Sequence, residues 1–183
     1  MKENYYDHFI DTVKNIESPL VREFIDRINQ RELSRDENLT SHLCCFFAAI
    51  DTQHKLVFLG LHKKSGLWLF NGGHIDKDEW PNQTIAREMV EEWGYSPIDS
   101  QKLEPELLTI VEIEDKTKNC KRHFDIWFFI SANSDTFNPD PALLETEFSD
   151  IRWMDIKEAE KLCSDQYSMI ALEYIKKKYF QSG

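Results

Sequence analysis

One stretch constrains this chain more than any other: Gly73–Tyr95, GHIDKDEWPNQTIAREMVEEWGY. Glu88, Glu91 and Glu92 stand at i, i+3 and i+4, so a helix places all three carboxylates on one face. They repel one another there, and a divalent cation with oxygen ligands is the simplest compensation. The flanks agree with a helix. Pro81 suits a first turn, where its missing N–H would be unpaired anyway, and Gly94 suits the left-handed residue just past a helix end. Ile85, Ala86, Met89, Val90 and Trp93 form an apolar stripe expected to dock on a core, with the carboxylates pointing the other way. Arg87 can reach Glu91 one turn on and Glu79 ahead of the helix.

The rest of the chain reads as strands and helices in blocks. Tyr6, Phe9, Ile10, Val13 and Ile16 recur at helical spacing within residues 4–35. Ser18-Pro19 reads as the cap and first-turn proline of a second helix, whose apolar face is Leu20, Val21, Phe24, Ile25 and Ile28. The charge-rich segment 29–41 reads as a linker. Strand signals follow at 43–50 and 55–61 around the turn Asp51–His54, then at 68–70 running into Asn71-Gly72-Gly73. After the glutamate helix, 106–115 and 123–130 form a hairpin through KTKN, 131–149 reads as a polar loop, and 150–155 as a last strand. Helices are expected at about 156–163 and 166–180. This alternation is an α+β sandwich pattern.

The 183 residues suit one domain with an appendage, and 41% hydrophobic with 13% aromatic is an ordinary soluble composition. No apolar run reaches the length of a membrane span, and the charged N-terminal sequence lacks a signal segment, so a cytoplasmic protein without a membrane partner is expected. Cys44, Cys45, Cys120 and Cys163 show no C-x-x-C pair and no metal-like spacing, and read as reduced residues. The net charge of −11 argues against polymeric nucleic acid as a partner. It does not argue against a small phosphorylated substrate, because a bound cation inverts the local field.

Gly73, Glu79, Arg87-Glu88-Met89-Val90-Glu91-Glu92-Trp93-Gly94-Tyr95 resembles the signature of the Nudix hydrolases, G-x5-E-x7-R-E-U-x-E-E-x-G-U, with U a bulky aliphatic residue. Every charged and glycine position matches; Met89 and Tyr95 stand where Ile, Leu or Val is usual. The resemblance implies an α/β/α sandwich with a mixed sheet over residues 42–183, preceded by an N-terminal helical extension over 1–41. It implies a pyrophosphohydrolase that cleaves a small nucleoside diphosphate linked to another group, using Mg2+ with Mn2+ as a substitute. By resemblance Glu88, Glu91, Glu92 and the Gly72 carbonyl are the metal ligands, with Glu79 and Arg87 orienting them. Glu91, Glu92, Arg87 and a further acid from a later loop carry the catalysis; Glu147 is preferred over Glu145, with Glu112 and Glu114 in reserve.

Substrate contacts are expected from His62, Lys63, Lys64, His74 and Arg122, and base stacking from Trp68, Phe70, Trp127 or Phe129, although aromatics in strands are more often core. His42, His62, His74 and His123 are more often structural or surface residues than catalytic ones. The family also includes folds that bind nucleotides without cleaving them, which are free to lose the carboxylates; none is lost here. An isomerase of prenyl diphosphates would want a reactive cysteine, and Cys44-Cys45-Phe46-Phe47 does not resemble one. The expected assembly is a monomer or a closed homodimer.

Overall fold

The alternation along residues 41–51 feeds two separate cores, and the fold is arranged around that strand. In the computed structural model, which describes residues 2–95, 103–114, 117 and 119–180, the elements run α1 (Lys2–Lys14), α2 (Val21–Asn29), β1 (Ser41–Asp51), β2 (Leu56–His62), β3 (Trp68–Leu69), β4 (Asn71–His74), α3 (Pro81–Trp93), β5 (Pro105–Glu112), β6 (Arg122–Ser131), α4 (Pro141–Glu147), β7 (Phe148–Asp155), α5 (Ile156–Leu162) and α6 (Gln166–Lys178). Leu43, Cys45, Phe47 and Ala49 enter one core; Ala48 and Ile50 enter the other, as period-two side chains must.

The seven strands form one mixed sheet. β1 pairs in parallel with β6 from Ser41↔Arg122 to Ile50↔Ser131, and β5 lies antiparallel outside β6. The other edge of β1 is shared. β4 takes Cys44–Phe47, and β2 takes Ile50–Asp51 through the expected hairpin. β3 and β7 pair with β2. At Phe70 the chain therefore crosses from the edge of β2 to the edge of β1, and the sheet opens there.

One face carries α1, α2 and α3, whose Phe9, Val13, Phe24, Ile28, Ile85, Met89 and Trp93 share a core with Phe124, Ile126 and Phe128 of β6. The opposite face carries α5 and α6 through Ile156, Ala159, Ala171, Leu172 and Ile175. No helix among the described residues is long and apolar enough to cross a membrane.

Two local readings change. α2 starts at Val21, not at Pro19; Ser18 Oγ accepts from the Leu20 N–H at 3.2 Å in a turn that precedes the helix. The polar segment 131–149 contains α4, capped by Asp140 accepting from the Ala142 N–H at 2.9 Å. It has one buried residue, Leu144, so it carries no helical period to read. The tip of the β5–β6 hairpin, KTKN, falls partly outside the described residues.

The segment read as a linker is held. Arg27 is 3% exposed, and its guanidinium donates to the carbonyls of Arg31 and Glu32, each at 2.8 Å, and of Ser41. Arg31 and Glu32 adopt left-handed backbone (φ 66° and 54°), turning the chain so that Leu33 is buried and its carbonyl accepts from the Leu43 N–H at 2.9 Å.

Because the N-terminal helices share the sheet's core, Phe24→Ala is expected to cost about 3–5 kcal/mol in chemical denaturation. A cost below about 1 kcal/mol would mean that α2 lies on the sheet without belonging to its core. Arg27→Lys should also destabilise, by about 2 kcal/mol, since one ammonium cannot span the three carbonyls.

Candidate active site

The carboxylate helix is set by its ends and by what lies under it. The Gln83 side chain accepts from the Trp80 N–H at 2.9 Å, Pro81 occupies the first turn, and Gly94 closes the helix at φ 79°. The buried face is Thr84, Ile85, Glu88, Met89, Glu92 and Trp93. The apolar stripe is thus narrower than its periodicity implies: Val90 is 51% exposed. Glu88 and Glu92 take part of that face and do not point away from the protein; Glu91 does, with its side chain 58% exposed.

Glycine makes this arrangement possible. A Cβ at position 73 would lie 2.1 Å from Glu88 Oε1, so the glycine leaves the space beside β4 that the Glu88 carboxylate fills. Gly72 has φ 140°, and a Cβ there would meet the Cys45 carbonyl at 2.4 Å. The same strand holds Glu92: Asn71 Nδ2 donates to its carboxylate, and the Gly72 N–H adds a second bond.

Arg87 ties the carboxylates together. Its Nε and Nη2 grip both oxygens of Glu79 at 3.0 Å, Nη1 donates to Glu88 at 2.7 Å and Glu91 at 3.3 Å, and Nη2 also reaches the His74 carbonyl at 3.0 Å. Glu79 further accepts from the Asp76 N–H at 3.1 Å and Thr84 Oγ1 at 2.8 Å. Burial raises the Glu79 carboxyl, but Arg87 and these donors outweigh it and hold it below the ordinary range. Glu88 and Glu92 go the other way. Burial raises both, and neighbouring carboxylates add to it, Glu91 and Glu147 for Glu88, Glu88 and Glu147 for Glu92; Arg87 and Asn71 only partly offset this.

These groups line a cleft of about 710 Å³ at the opening in the sheet. Glu88, Glu91, Glu92, Arg87, Gly72, His62, His74 and Glu147 all reach it. Glu147 is positioned from both sides: its carbonyl accepts from the Lys63 N–H at 2.8 Å, and the start of its helix is tied to α3 by Asp140 N–H to the Trp93 carbonyl at 2.9 Å. Of the other carboxylates, Glu145 lies outside the cleft and Glu112 pairs with Arg122 at 2.6 Å. Glu114 is exposed and does not line the cleft.

Three expected substrate contacts lie elsewhere. Lys63 turns back to the Glu145 carbonyl, and Lys64 lines the cleft instead. Trp68 is 8% exposed in the second core, with Arg152 5.0 Å above its ring. Arg122 bridges Glu23 and Glu112. Phe46, Phe70, Phe148 and Tyr167 line the cleft, while Trp127 and Phe129 are core. Phe46, Tyr167 and Asn71 were not singled out from sequence, nor was Arg35, which the Arg27 anchor brings to the cleft. Phe46 was legible in principle: it alternates in phase with His42 and Cys44 on β1.

The family model described as NUDIX domain matches residues 43–172. No curated protein matches the chain. Among solved structures, the E. coli dihydroneopterin triphosphate pyrophosphohydrolase is similar with a TM-score of 0.61 at 17% identity, covering 72% of this chain and 92% of that one. The NUDIX domain of Shewanella oneidensis NrtR complexed with ADP ribose aligns with a TM-score of 0.57 at 17% identity, covering 74% and 86%. A C. elegans Ap4A hydrolase binary complex gives 0.54 at 16%, covering 74% and 95%. At these identities the structural likeness is one of fold.

The raised Glu92 carboxyl has a signed consequence. The folded chain holds this proton to higher pH than the unfolded chain, so ionisation destabilises the metal-free fold progressively above the ordinary carboxylate value of 4.5. Metal-free Glu92→Gln is expected to melt above wild type, by a margin that grows as pH rises from about 5 to 8. A margin that shrinks with pH would mean that Glu92 is stabilised as an anion.

Proposed function

The chain belongs to the Nudix family of phosphoric-anhydride hydrolases, and on that premise we propose that it is a magnesium-dependent pyrophosphohydrolase cleaving the diphosphate linkage of a small nucleoside-diphosphate-X substrate. The observation that carries this reading is the crowding of Glu88, Glu91, Glu92 and Glu147 in one cleft, where burial leaves Glu88 and Glu92 short of compensating charge. An all-oxygen donor set of this kind fits a hard divalent cation. Bound by Glu88, Glu91, Glu92 and the Gly72 carbonyl, Mg2+ (or Mn2+) would neutralise the diphosphate oxygens and make water more acidic.

The chain's own groups divide the remaining work. Arg87, spread over Glu79, Glu88 and Glu91, fixes the directions of the carboxylates. Asn71 does the same for Glu92. Glu147 stands in the cleft to accept the proton of the attacking water. Arg35, His62 and Lys64 line the same cleft and offer donors to the substrate's outer phosphates. Phe46, stacked on Trp127 at 5.0 Å, and Tyr167 offer faces to a base. A cleft of this volume suits a nucleotide-sized ligand. The names of the neighbours, an Ap4A hydrolase, a pterin triphosphate pyrophosphohydrolase and a domain holding ADP ribose, support that size and charge class.

The test is a panel of ADP-ribose, nucleotide sugars, dinucleoside polyphosphates and nucleoside triphosphates assayed with Mg2+. At least one should turn over; activity should vanish in EDTA and return with Mg2+ or Mn2+. Binding without turnover of any of them would make the protein a nucleotide-sensing module. Glu91→Gln and Glu92→Gln should each lower kcat by more than about 100-fold, and Glu79→Gln by about 10–100-fold, because it acts through Arg87. The reverse order would exchange the roles of ligand and support.

A further inference from the structure

Four nitrogen and sulfur donors meet beside the carboxylate cluster, and the hydrolytic reading uses none of them as a set. The sheet register brings them together. His42 and Cys44 are two residues apart on β1 and share a face. The parallel pairing sets His123 beside His42, and the antiparallel pairing sets His74 beside Cys44. Three strands thus deliver one patch of side chains whose donor atoms all lie within 4.8 Å of one another. The imidazole centroids are 4.8 Å (His42–His74), 4.8 Å (His42–His123) and 5.4 Å (His74–His123) apart.

We propose that His42, Cys44, His74 and His123 bind a borderline-soft divalent transition metal, Zn2+ before others, at a site chemically distinct from the carboxylate cluster. Three imidazoles and one thiolate match tetrahedral zinc coordination in number and kind. Donors around zinc stand about 3.3–3.7 Å apart, so the patch closes on the ion by a contraction of about an ångström. Mg2+ selects oxygen ligands and does not compete for this set.

The surroundings prepare the ligands. His42 Nδ1 lies 3.0 Å from the Asn38 carbonyl, which can only accept; the proton is therefore on Nδ1, and Nε2 keeps its lone pair for a metal. Asn38 is itself fixed, its side chain accepting from the N–H groups of Thr40 at 3.1 Å and Ser41 at 3.0 Å. The His74 backbone is held by Arg87 at 3.0 Å. His42 and Cys44 are buried, whereas His74 and His123 are half-buried and line the cleft, which gives an ion a way in. An ion held here ties β1, β4 and β6 together at His74, next to Gly73 along β4, and so braces the strand beside the carboxylate helix.

The experiment needs no substrate and does not depend on hydrolysis. Metal-stripped full-length protein is titrated with Co2+ in excess Mg2+. The expected result is one equivalent bound per chain, with the visible bands of tetrahedral cobalt and a thiolate charge-transfer band, all removed by stoichiometric Zn2+. Cys44→Ser should abolish the thiolate band, and His123→Ala should weaken Zn2+ at least about 100-fold in chelator competition. Glu91→Gln/Glu92→Gln and Cys120→Ser should keep the site, although Cys120 Sγ lies 3.7 Å from His42 Nε2. Absence of the cobalt spectrum in the wild-type protein overturns the proposal even where a variant fails to fold. So does loss of the thiolate band with Cys120→Ser in place of Cys44→Ser, or loss of Zn2+ binding with the glutamate variants.

Discussion

The contact on which the rest depends is the one between Gly73 and Glu88. With no side chain on the strand, β4 lies against α3 closely enough to bury a carboxylate at the join. A buried carboxylate needs donors or a counter-charge, and the neighbouring positions supply the donors. Arg87 sits one residue along and reaches Glu79, Glu88, Glu91 and the His74 carbonyl from a single guanidinium. That planar fork is a geometry a lysine could not reproduce. Asn71 and the Gly72 N–H serve Glu92 in the same way. The glycines, the arginine and the glutamates are thus one structural unit, which is why they occur at fixed offsets in the sequence.

The N-terminal 41 residues are bound to that unit at two levels. Their apolar faces complete the core under α3. Their polar groups also touch the loop leading into it: Tyr5 Oη donates to the Glu79 carbonyl at 3.0 Å, and the His8 ring packs 4.6 Å from Trp80. The Arg27 anchor then carries Arg35 to the cleft. The family match begins at residue 43, so these contacts are made by sequence outside it. They are a way for a shared catalytic base to acquire its own rim.

How much of this the sequence discloses depends on the range of the interaction. The i, i+3, i+4 glutamates, Pro81 and Gly94 act within one helix, and they appear where their spacing puts them. Six of the strands and the two C-terminal helices follow from local periodicity, with ends shifted by one to three residues; β4 does not, since Asn71-Gly72-Gly73-His74 carries no strand period. What was hidden acts across strands. Whether Glu88 faces solvent depends on a glycine fifteen positions back in a different element. Whether Trp68 or Phe46 faces the cleft depends on which strand edge the chain crosses to at Phe70. The His42, Cys44, His74 and His123 patch shows no metal-like spacing, because parallel and antiparallel registers assemble it from three separate strands. Arg122 and Lys63 looked like phosphate contacts only as charges; Glu23, Glu112 and the Glu145 carbonyl already occupy them.

The charge distribution explains how so acidic a chain could process an anion. Without a cation, the base of the cleft holds four acidic side chains, and those that ionise repel a diphosphate. On the proposed reading, cation binding at the base would be needed for the substrate to approach, and not only for its cleavage. Arg35 and Lys64 come from segments outside the glutamate helix and its glycine strand, one from the anchored N-terminal stretch and one from the turn after β2. The acidic groups at the base and the basic groups at the rim thus sit on different elements. The spacing of the base is set within one helix and one strand, whereas Arg35 and Lys64 lie outside both, so on the proposed reading the choice of the group X would rest with the rim.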